Sequence, residues 1–408
     1  MAVASERLHH NVPGKDDDTS IRPRILHVAT RYLRGGSERR LRDIVRAIPE
    51  AEHHLVVGSD SDVLLAMREV GPAKLTVMPS LVRDPAPRRD LATLRELRRV
   101  LVMQRYDLVV SHQSKAGVLT RMAASRSAIP VVHSLSMANF GPGYSRWQSV
   151  LFRRIETRLV ERTAAYVVVG SDLARRYAEI GAPPEKLHIV RSGVTLSAPE
   201  ERAAARADMC ASLELPADRP LIAYVGSLDQ RKNVLDLPRL LGACLDPGAP
   251  RPYLVVAGQG PLHEPLHAAI GAAGLGDDAK LVGFVREPCA LIRAADVVVL
   301  LSSAEGVPQV LVQAAAAQTP FVAYAVDGVR ELMDLGAEGV AVPMGNVQAA
   351  AAATRALLSR GRTAPRPSMD FSAWSPEAIS AGYRRVIRDA LAQQAGASGR
   401  PPLEAVTT

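Results

Sequence analysis

The sequence predicts an α/β protein: two doubly wound, Rossmann-like parallel-sheet domains facing a central cleft. Three observations carry this. Short apolar runs alternate with stretches of helical periodicity, as in parallel sheets covered by helices on both faces. The series ends near residue 195 and restarts near residue 220. In each series the first run leads into a glycine-containing turn, and such folds bind ligands at the carboxyl ends of their strands.

Residues 1–20 are polar, hold no apolar run, and read as a disordered leader. Arg24–Thr30 is the first strand. Gly35 and Gly36 open a helix with Leu41, Ile44, Val45 and Ile48 at helical spacing. A helix over Asp62–Val70 follows the strand His54–Gly58. After the strand Lys74–Met78, Leu91, Leu94, Leu97 and Leu101 form one apolar stripe with Arg95, Arg98 and Arg99 off it. Asp107–His112, Pro130–His133 and Tyr166–Ser171 complete a first domain over 21–197. The second, over 206–370, has strands at Pro220–Gly226, Tyr253–Gly258, Lys280–Phe284, Asp296–Leu301, Pro320–Tyr324 and Gly339–Val342. A periodic helix over 371–390 follows, and 395–408 reads as a frayed, disordered tail.

Composition narrows the class. A length of 408 residues with 47% hydrophobic and 23% charged side chains allows two or three packed domains. Cys210, Cys244 and Cys289 are too few and too scattered for a disulfide framework or a metal cluster, which suits a reducing cytosol. No apolar run approaches the ~20 residues of a membrane-spanning helix. A cytoplasmic protein is expected, with contact at the inner membrane face left open. The net charge of +8 is uneven: residues 21–195 carry 29 Lys+Arg against 16 Asp+Glu. Arginine-rich codon usage accounts for such an excess, and so does a first domain facing an anionic acceptor or membrane. Nucleic acid is a poor partner, because only 4% of residues are aromatic and none interleave with a basic motif.

Several groups sit where chemistry is done. Gly35-Gly36 between strand and helix suits a phosphate or a sugar, though it also serves as a plain turn. In the loop after Gly226, Arg231 and Lys232 are a cationic pair able to neutralise a pyrophosphate; solvated surface charge is the bland alternative. Gly258 and Gly260 form another strand-end turn. Glu305-Gly306 follows the strand ending at Leu301, and Gln313 lies about two helical turns on, so both side chains can point into one cleft. His112 and His133 each read as ending a strand on the cleft side, with a satisfied core histidine the alternative. No zinc spacing, GxSxG or Walker A sequence is present.

Taken together these pieces resemble the large retaining glycosyltransferase family 4, of GT-B fold, over about residues 22–390. The resemblance rests on Gly35-Gly36-Ser37-Glu38, Ser111–Gly117 and Val132-His133, and on Val190–Val194 and Val225-Gly226 with Lys232. It continues through Gly258–Pro261, Leu281–Phe284, Glu305–Pro308 and Asp327-Gly328 before Glu331. Ser111–Gly117 is similar to members that build polysaccharides on lipid carriers. The resemblance implies that the second domain binds a nucleotide sugar, UDP-sugars being preferred, and the first an acceptor. The final helix would return to the first domain. It implies no cofactor and no bound metal, a cationic pair meeting the leaving diphosphate instead.

Carried over, Lys232 contacts that diphosphate, with Arg231 as a second charge, and Glu305 the sugar hydroxyls. His133 would lie beside the reacting sugar. Gly35, Gly36, Gly226, Gly258, Gly260, Gly306 and Gln313 fall on the donor and phosphate side, His112 and Lys115 on the acceptor side. Two positions depart from the family: Ser227 stands where an arginine is usual, and Gln313 replaces the second glutamate of E-x7-E. The alternatives are a transferase acting on a small-molecule natural product and a non-catalytic nucleotide-sugar-binding partner subunit.

Overall fold

The structure, a computed structural model, describes residues 22–33, 36–71, 73–194, 202–361 and 367–398. The expected leader at 1–20, Gly35 and residues 399–408 of the expected tail lie outside them.

The first lobe holds strands β1 (Arg24–Ala29), β2 (Glu52–Gly58), β3 (Lys74–Met78), β4 (Leu108–His112), β5 (Val131–Leu135), β6 (Ala165–Val168) and β7 (Leu187–Ile189). Its helices are α1 (Gly36–Ala47), α2 (Val63–Val70), α3 (Pro87–Met103), α4 (Ser114–Ala124), α5 (Arg146–Leu159) and α6 (Ser171–Ala178). The second lobe has β8 (Leu221–Val225), β9 (Tyr253–Ala257), β10 (Ala279–Gly283), β11 (Val297–Leu300), β12 (Phe321–Tyr324) and β13 (Gly339–Val342). Around them lie α7 (Arg202–Ser212), α8 (Leu237–Cys244), α9 (His263–Ala272), α10 (Pro288–Ala294), α11 (Gln309–Ala316), α12 (Val329–Asp334) and α13 (Val347–Ser359), and α14 (Pro376–Ser398) follows.

Among the described residues the first sheet has seven strands in the order β3-β2-β1-β4-β5-β6-β7, the second six in the order β10-β9-β8-β11-β12-β13. Every pair is parallel. These are the two doubly wound sheets expected. The strands are rich in valine and leucine because both faces are covered. The chain reverses direction across each sheet between β1 and β4, and between β8 and β11. The loops after those strands part to opposite sides and leave a crevice.

One buried apolar cluster runs through both lobes, from Phe140, Tyr166 and Val169 to Val307, Leu311 and Val329. The lobes therefore share a core rather than meeting only through a linker. Tyr383, Val386 and Ile387 of α14 are buried with Ile25, Ile44 and Val132, so the last helix belongs to the first lobe's core. Its backbone runs to Ser398, eight residues past the expected end at Ala390.

Two local expectations fail, and one strand carries no sequence signal. That strand, β7, is three residues long and only partly buried. Leu91, expected on the buried stripe of α3, is 47% exposed, and Thr93 is buried in its stead, its hydroxyl donating to Ser80 at 2.9 Å. β5 extends to Leu135, so His133 is an interior strand residue and not a strand end.

Candidate active site

The second lobe builds its half of the site from the loops flanking its switch point. After β8, Asp229 caps a short 3-10 turn over Gln230–Lys232 by accepting from the Lys232 N–H at 3.2 Å. Asn233 leaves that turn in the left-handed region at φ 47°, and its amide donates to the Leu301 carbonyl at 2.9 Å. The Ser303 N–H and hydroxyl both donate to the Arg231 carbonyl, at 2.8 and 3.0 Å. Backbone bonds thus fix the β8 loop against the β11 loop before any charged groups meet.

Lys232 Nζ then lies 2.5 Å from Glu305 Oε1, and Arg231 Nη1 3.5 Å from the same oxygen. Arg231 also donates to the Ala304 carbonyl at 3.0 Å. Two cations and one carboxylate stand together at the carboxyl ends of β8 and β11. Beyond them α11 begins at Gln309 with Pro308 as its N-cap, presenting helix N–H groups to the same crevice.

The glycine turns interlock. A β-carbon on Gly258 would come within 1.8 Å of the Gly226 carbonyl oxygen, so only glycine permits this approach. The Gly226 N–H donates to Ala257 O at 3.0 Å, and Leu228 N–H to Gln259 O at 2.9 Å. A β-carbon on Gly260 would lie 2.4 Å from the Leu228 carbonyl oxygen, again too close for any other residue. Gly226, Gly258 and Gly260 thus form one floor beside the cationic pair. Gly306 abuts the Ser136 carbonyl of the first lobe. A cavity of about 40 Å³ lies between the lobes, lined by Ala138, Phe140, Arg176, Ala304, Glu305 and Asp327. A larger one, about 510 Å³, opens at the far end of the first sheet near Pro130, Lys186 and His188, away from these loops.

Gln313 lies on the face of α11 turned toward α10, its amide donating to Cys289 Sγ at 3.3 Å. Among the described residues no three His, Cys, Asp or Glu side chains gather as a metal site.

First-lobe expectations fare unevenly. Gly36 is the exposed first residue of α1. His133 does not line the cleft: its ring is fully buried, with Nδ1 2.9 Å from Ser111 Oγ and its edge against Gly117. Burial, with Arg121 adding to it, pushes its pKa well below the usual 6.5. The reason is strand geometry: alternate side chains of a strand paired on both edges enter one helix layer or the other, and this one enters the layer of α4. The residue of this segment that meets the second lobe is Ser136.

His112 does end β4, but its ring turns inward, Nε2 lying 3.3 Å from His27 Nδ1. His27 Nε2 is 3.0 Å from His53 Nδ1, so three imidazoles form a buried chain under β1, β2 and β4. Lys115 is tied to Asp90 at 2.6 Å and to the Asp84 carbonyl at 2.5 Å, toward α3.

Several residues have roles that the sequence does not show, though most lie in motifs it does. Gln113, at φ 63° before α4, accepts from the Arg31 N–H at 3.2 Å and donates to the Arg31 carbonyl at 3.0 Å and to the buried Glu38 at 3.2 Å. It pins the loop after β1 to the loop after β4. Across the lobes, Arg176 forks onto Asp327 at 2.5 and 2.7 Å. Glu331 meets Arg191 at 2.7 Å and accepts from the Ser171 N–H at 2.9 Å. Asp172 accepts from the Gly328 N–H at 2.9 Å. The Asp327-Gly328 motif was a visible signal; its partners on α6 carried none.

Comparison with known proteins accords with this geometry. Residues 35–193 match the family model described as glycosyl transferase 4-like domain, and residues 206–368 that of glycosyl transferases group 1. The D-inositol 3-phosphate glycosyltransferases of Mycobacterium bovis and Mycobacterium tuberculosis are 30% identical over 315 residues, which is 71% of this chain and 64% of theirs. Among solved structures, Anabaena HepE in complex with UDP superposes with a TM-score of 0.65 at 18% identity, covering 93% of this chain and all of that one. Sucrose-phosphate synthase from Thermosynechococcus elongatus does so at 0.65 and 19%, covering 93% and 98%. With both domain models matched in order and the two-lobed fold shared, the chain belongs to the family 4-type glycosyltransferases of GT-B fold.

Proposed function

We propose that this protein transfers a sugar from a nucleotide-sugar donor, preferentially a UDP-sugar, to an acceptor hydroxyl with retention of anomeric configuration. The product belongs to polysaccharide or glycoconjugate synthesis. The observation that carries this is the meeting of Lys232, Arg231 and Glu305 in the crevice of the second lobe, facing the first. The UDP held by the Anabaena neighbour supports the choice of nucleotide. The basic balance of residues 21–195 supports an anionic acceptor, as does the D-inositol 3-phosphate in the mycobacterial relatives' name.

In this reading the donor diphosphate sits over the Gly226 and Gly258 turns and the start of α11. Lys232 and Arg231 meet the charge that grows on the leaving oxygen, and Glu305 accepts hydrogen bonds from sugar hydroxyls. The acceptor hydroxyl approaches on the face from which the diphosphate departs. As the anomeric bond breaks, an oxocarbenium-like centre forms, the acceptor oxygen bonds to it, and the diphosphate oxygen takes the acceptor proton. No protein base is needed, which agrees with the burial of His133.

A thermal-shift series with UDP-, GDP- and ADP-sugars tests the donor: near 100 times its Kd the true one stabilises by ~2.7 kcal/mol. Donor turnover with an acceptor panel then tests the transfer. A chain that binds no nucleotide sugar sinks the reading; one that binds without turnover is a partner subunit.

A further inference from the structure

We propose that the outward face of α5 docks this protein on an anionic lipid bilayer, at the mouth of the interlobe crevice. This rests on the transferase reading only for its purpose, the delivery of a lipid-linked acceptor; the surface stands by itself.

The face is defined by exposure. Trp147 is 67% exposed, Val150 52% and Leu151 45%. Arg146, Arg153, Arg154 and Arg158 are exposed beside them. At 100° per residue these seven side chains fall within an arc of roughly 160°. The opposite face holds Phe152, Glu156 and Leu159 against the lobe. Glu156, the one acid of α5, does not offset the arginines: it is buried and held by both terminal nitrogens of the Arg121 guanidinium, at 2.8 and 2.9 Å. The surface of the helix therefore carries four cations and no anion. Glu161, in the turn that follows, stands next to Arg162. The neighbouring helix α4 carries exposed Met122, and the turn after it exposed Arg126.

A single tryptophan and two aliphatic side chains on one helix face with four arginines suit the boundary of a bilayer. The indole and the aliphatic groups enter the headgroup layer while the guanidiniums meet lipid phosphates. A face carrying charge of one sign alone would serve a soluble polyanion; the tryptophan and leucine have no role there.

Location completes the inference. Ser145 caps α5, reinforced by Gln148, and the loop just before it reaches the site. Phe140 and Pro142 line the cavity that holds Glu305, and Gly143 is in contact with Ala304. Seating α5 on lipid brings the crevice within one loop of the membrane surface.

The test floats the full chain with vesicles of phosphatidylcholine and with vesicles of equal parts phosphatidylcholine and phosphatidylglycerol. Binding to the anionic vesicles only, falling with salt, is expected. Arg153→Gln with Arg154→Gln should weaken it on the order of twentyfold, about fivefold for each charge. Trp147→Ala with Leu151→Ala should weaken it at every salt concentration. Calorimetry with UDP verifies that both variants keep wild-type nucleotide affinity. Equal flotation with neutral vesicles, no flotation, or variants that float like wild type overturns the proposal. So does a self-associated species in sedimentation that the same substitutions dissolve, since the face would then join two copies of the chain. A protein that floats as expected but binds no nucleotide sugar leaves the docking standing and removes the transferase reading.

Discussion

The α-carbon of Gly306 faces the carbonyl oxygen of Ser136 so closely that a β-carbon there would lie 1.9 Å from it. Gly306 follows Glu305 in the second lobe, and Ser136 follows β5 in the first. The lobes thus touch backbone to backbone beside the proposed reacting groups, and the width of the crevice is set by a missing methyl group. Gly306→Ala must push the Glu305 loop away from the first lobe, at a cost of about 1–3 kcal/mol. A displacement near 1 Å in an active site can cost on the order of a hundredfold in rate. We expect UDP affinity within a few-fold of wild type and turnover down by about that factor. Wild-type turnover would mean that the lobes meet differently during the reaction.

Lys232→Ala removes the cation 2.5 Å from Glu305 and leaves Arg231 at 3.5 Å. Loss of one donor aimed at charge growing in a transition state costs on the order of 10²–10³ in kcat, and that range is expected here. Glu305→Gln should fall as far, with the thermal midpoint little changed, because the Asn233 and Ser303 bonds hold the two loops without it. Steady-state kinetics and a melting curve measure both. If either variant turns over at the wild-type rate, the chemistry lies elsewhere.

How far these groups could be read from sequence depended on what marked them. The strands were legible because parallel strands buried on both faces are continuous apolar runs, as in Val297–Leu300. The cationic pair, Glu305 and the glycine turns were legible because each follows such a strand directly. α5 carries no clear sequence signal, since apolar residues stand on both its faces: Phe152 and Leu159 turn inward with Glu156, while Trp147, Val150 and Leu151 are exposed. His133 misled because its strand runs two residues further than expected, which turns its ring into the helix layer. Gln113 lies within the Ser111–Gly117 motif, but nothing in the sequence marks its role. Its left-handed backbone and its bonds to Arg31 and Glu38 exist only once β1 and β4 are paired.

The buried histidine chain makes stability depend on acid. Burial lowers His112 to about 3, with Arg40 adding to it; outside the chain, His54, bonded to Tyr106 and Thr76, is lowered by burial to about 4. His27 is pushed well below the usual value by burial and by His53. An unfolded histidine takes up a proton near pH 6.5, while these folded ones remain neutral until far lower. Between those limits the unfolded chain binds more protons, so stability falls as pH falls, by up to ~1.4 kcal/mol per pH unit for each histidine. Urea midpoints measured from pH 7 down to pH 4.5 should drop steadily. In proton NMR the His27 and His112 ring signals should not titrate above pH 5. A flat midpoint, or either ring titrating near 6.5, would contradict the buried arrangement.

The departure at Gln313 can be tested against the sulfur it touches. On the proposed reading its side chain reaches the donor ribose from α11. The structure also gives its amide a second task, a hydrogen bond to Cys289 of α10 at 3.3 Å. Gln313→Glu exchanges a neutral acceptor for a charged one. Hydrogen bonds to charged groups contribute ~1.5–3 kcal/mol and neutral ones ~0.5–1.5, so UDP should bind tighter by roughly 1 kcal/mol, about fivefold. Against this stand the lost donation to sulfur, a weak bond that the thiol can replace by donating in turn, and repulsion from the diphosphate, which Lys232 and Arg231 moderate. Gln313→Ala separates the two tasks. If the ribose contact is real, calorimetry shows UDP affinity rising in the glutamate variant and falling in the alanine one. If the amide serves only to tie α11 to α10, both variants keep wild-type affinity and the alanine one loses thermal stability. If the glutamate variant binds UDP much more weakly, the pocket is built around the amide, and a neutral side chain at this position is a requirement of this donor site.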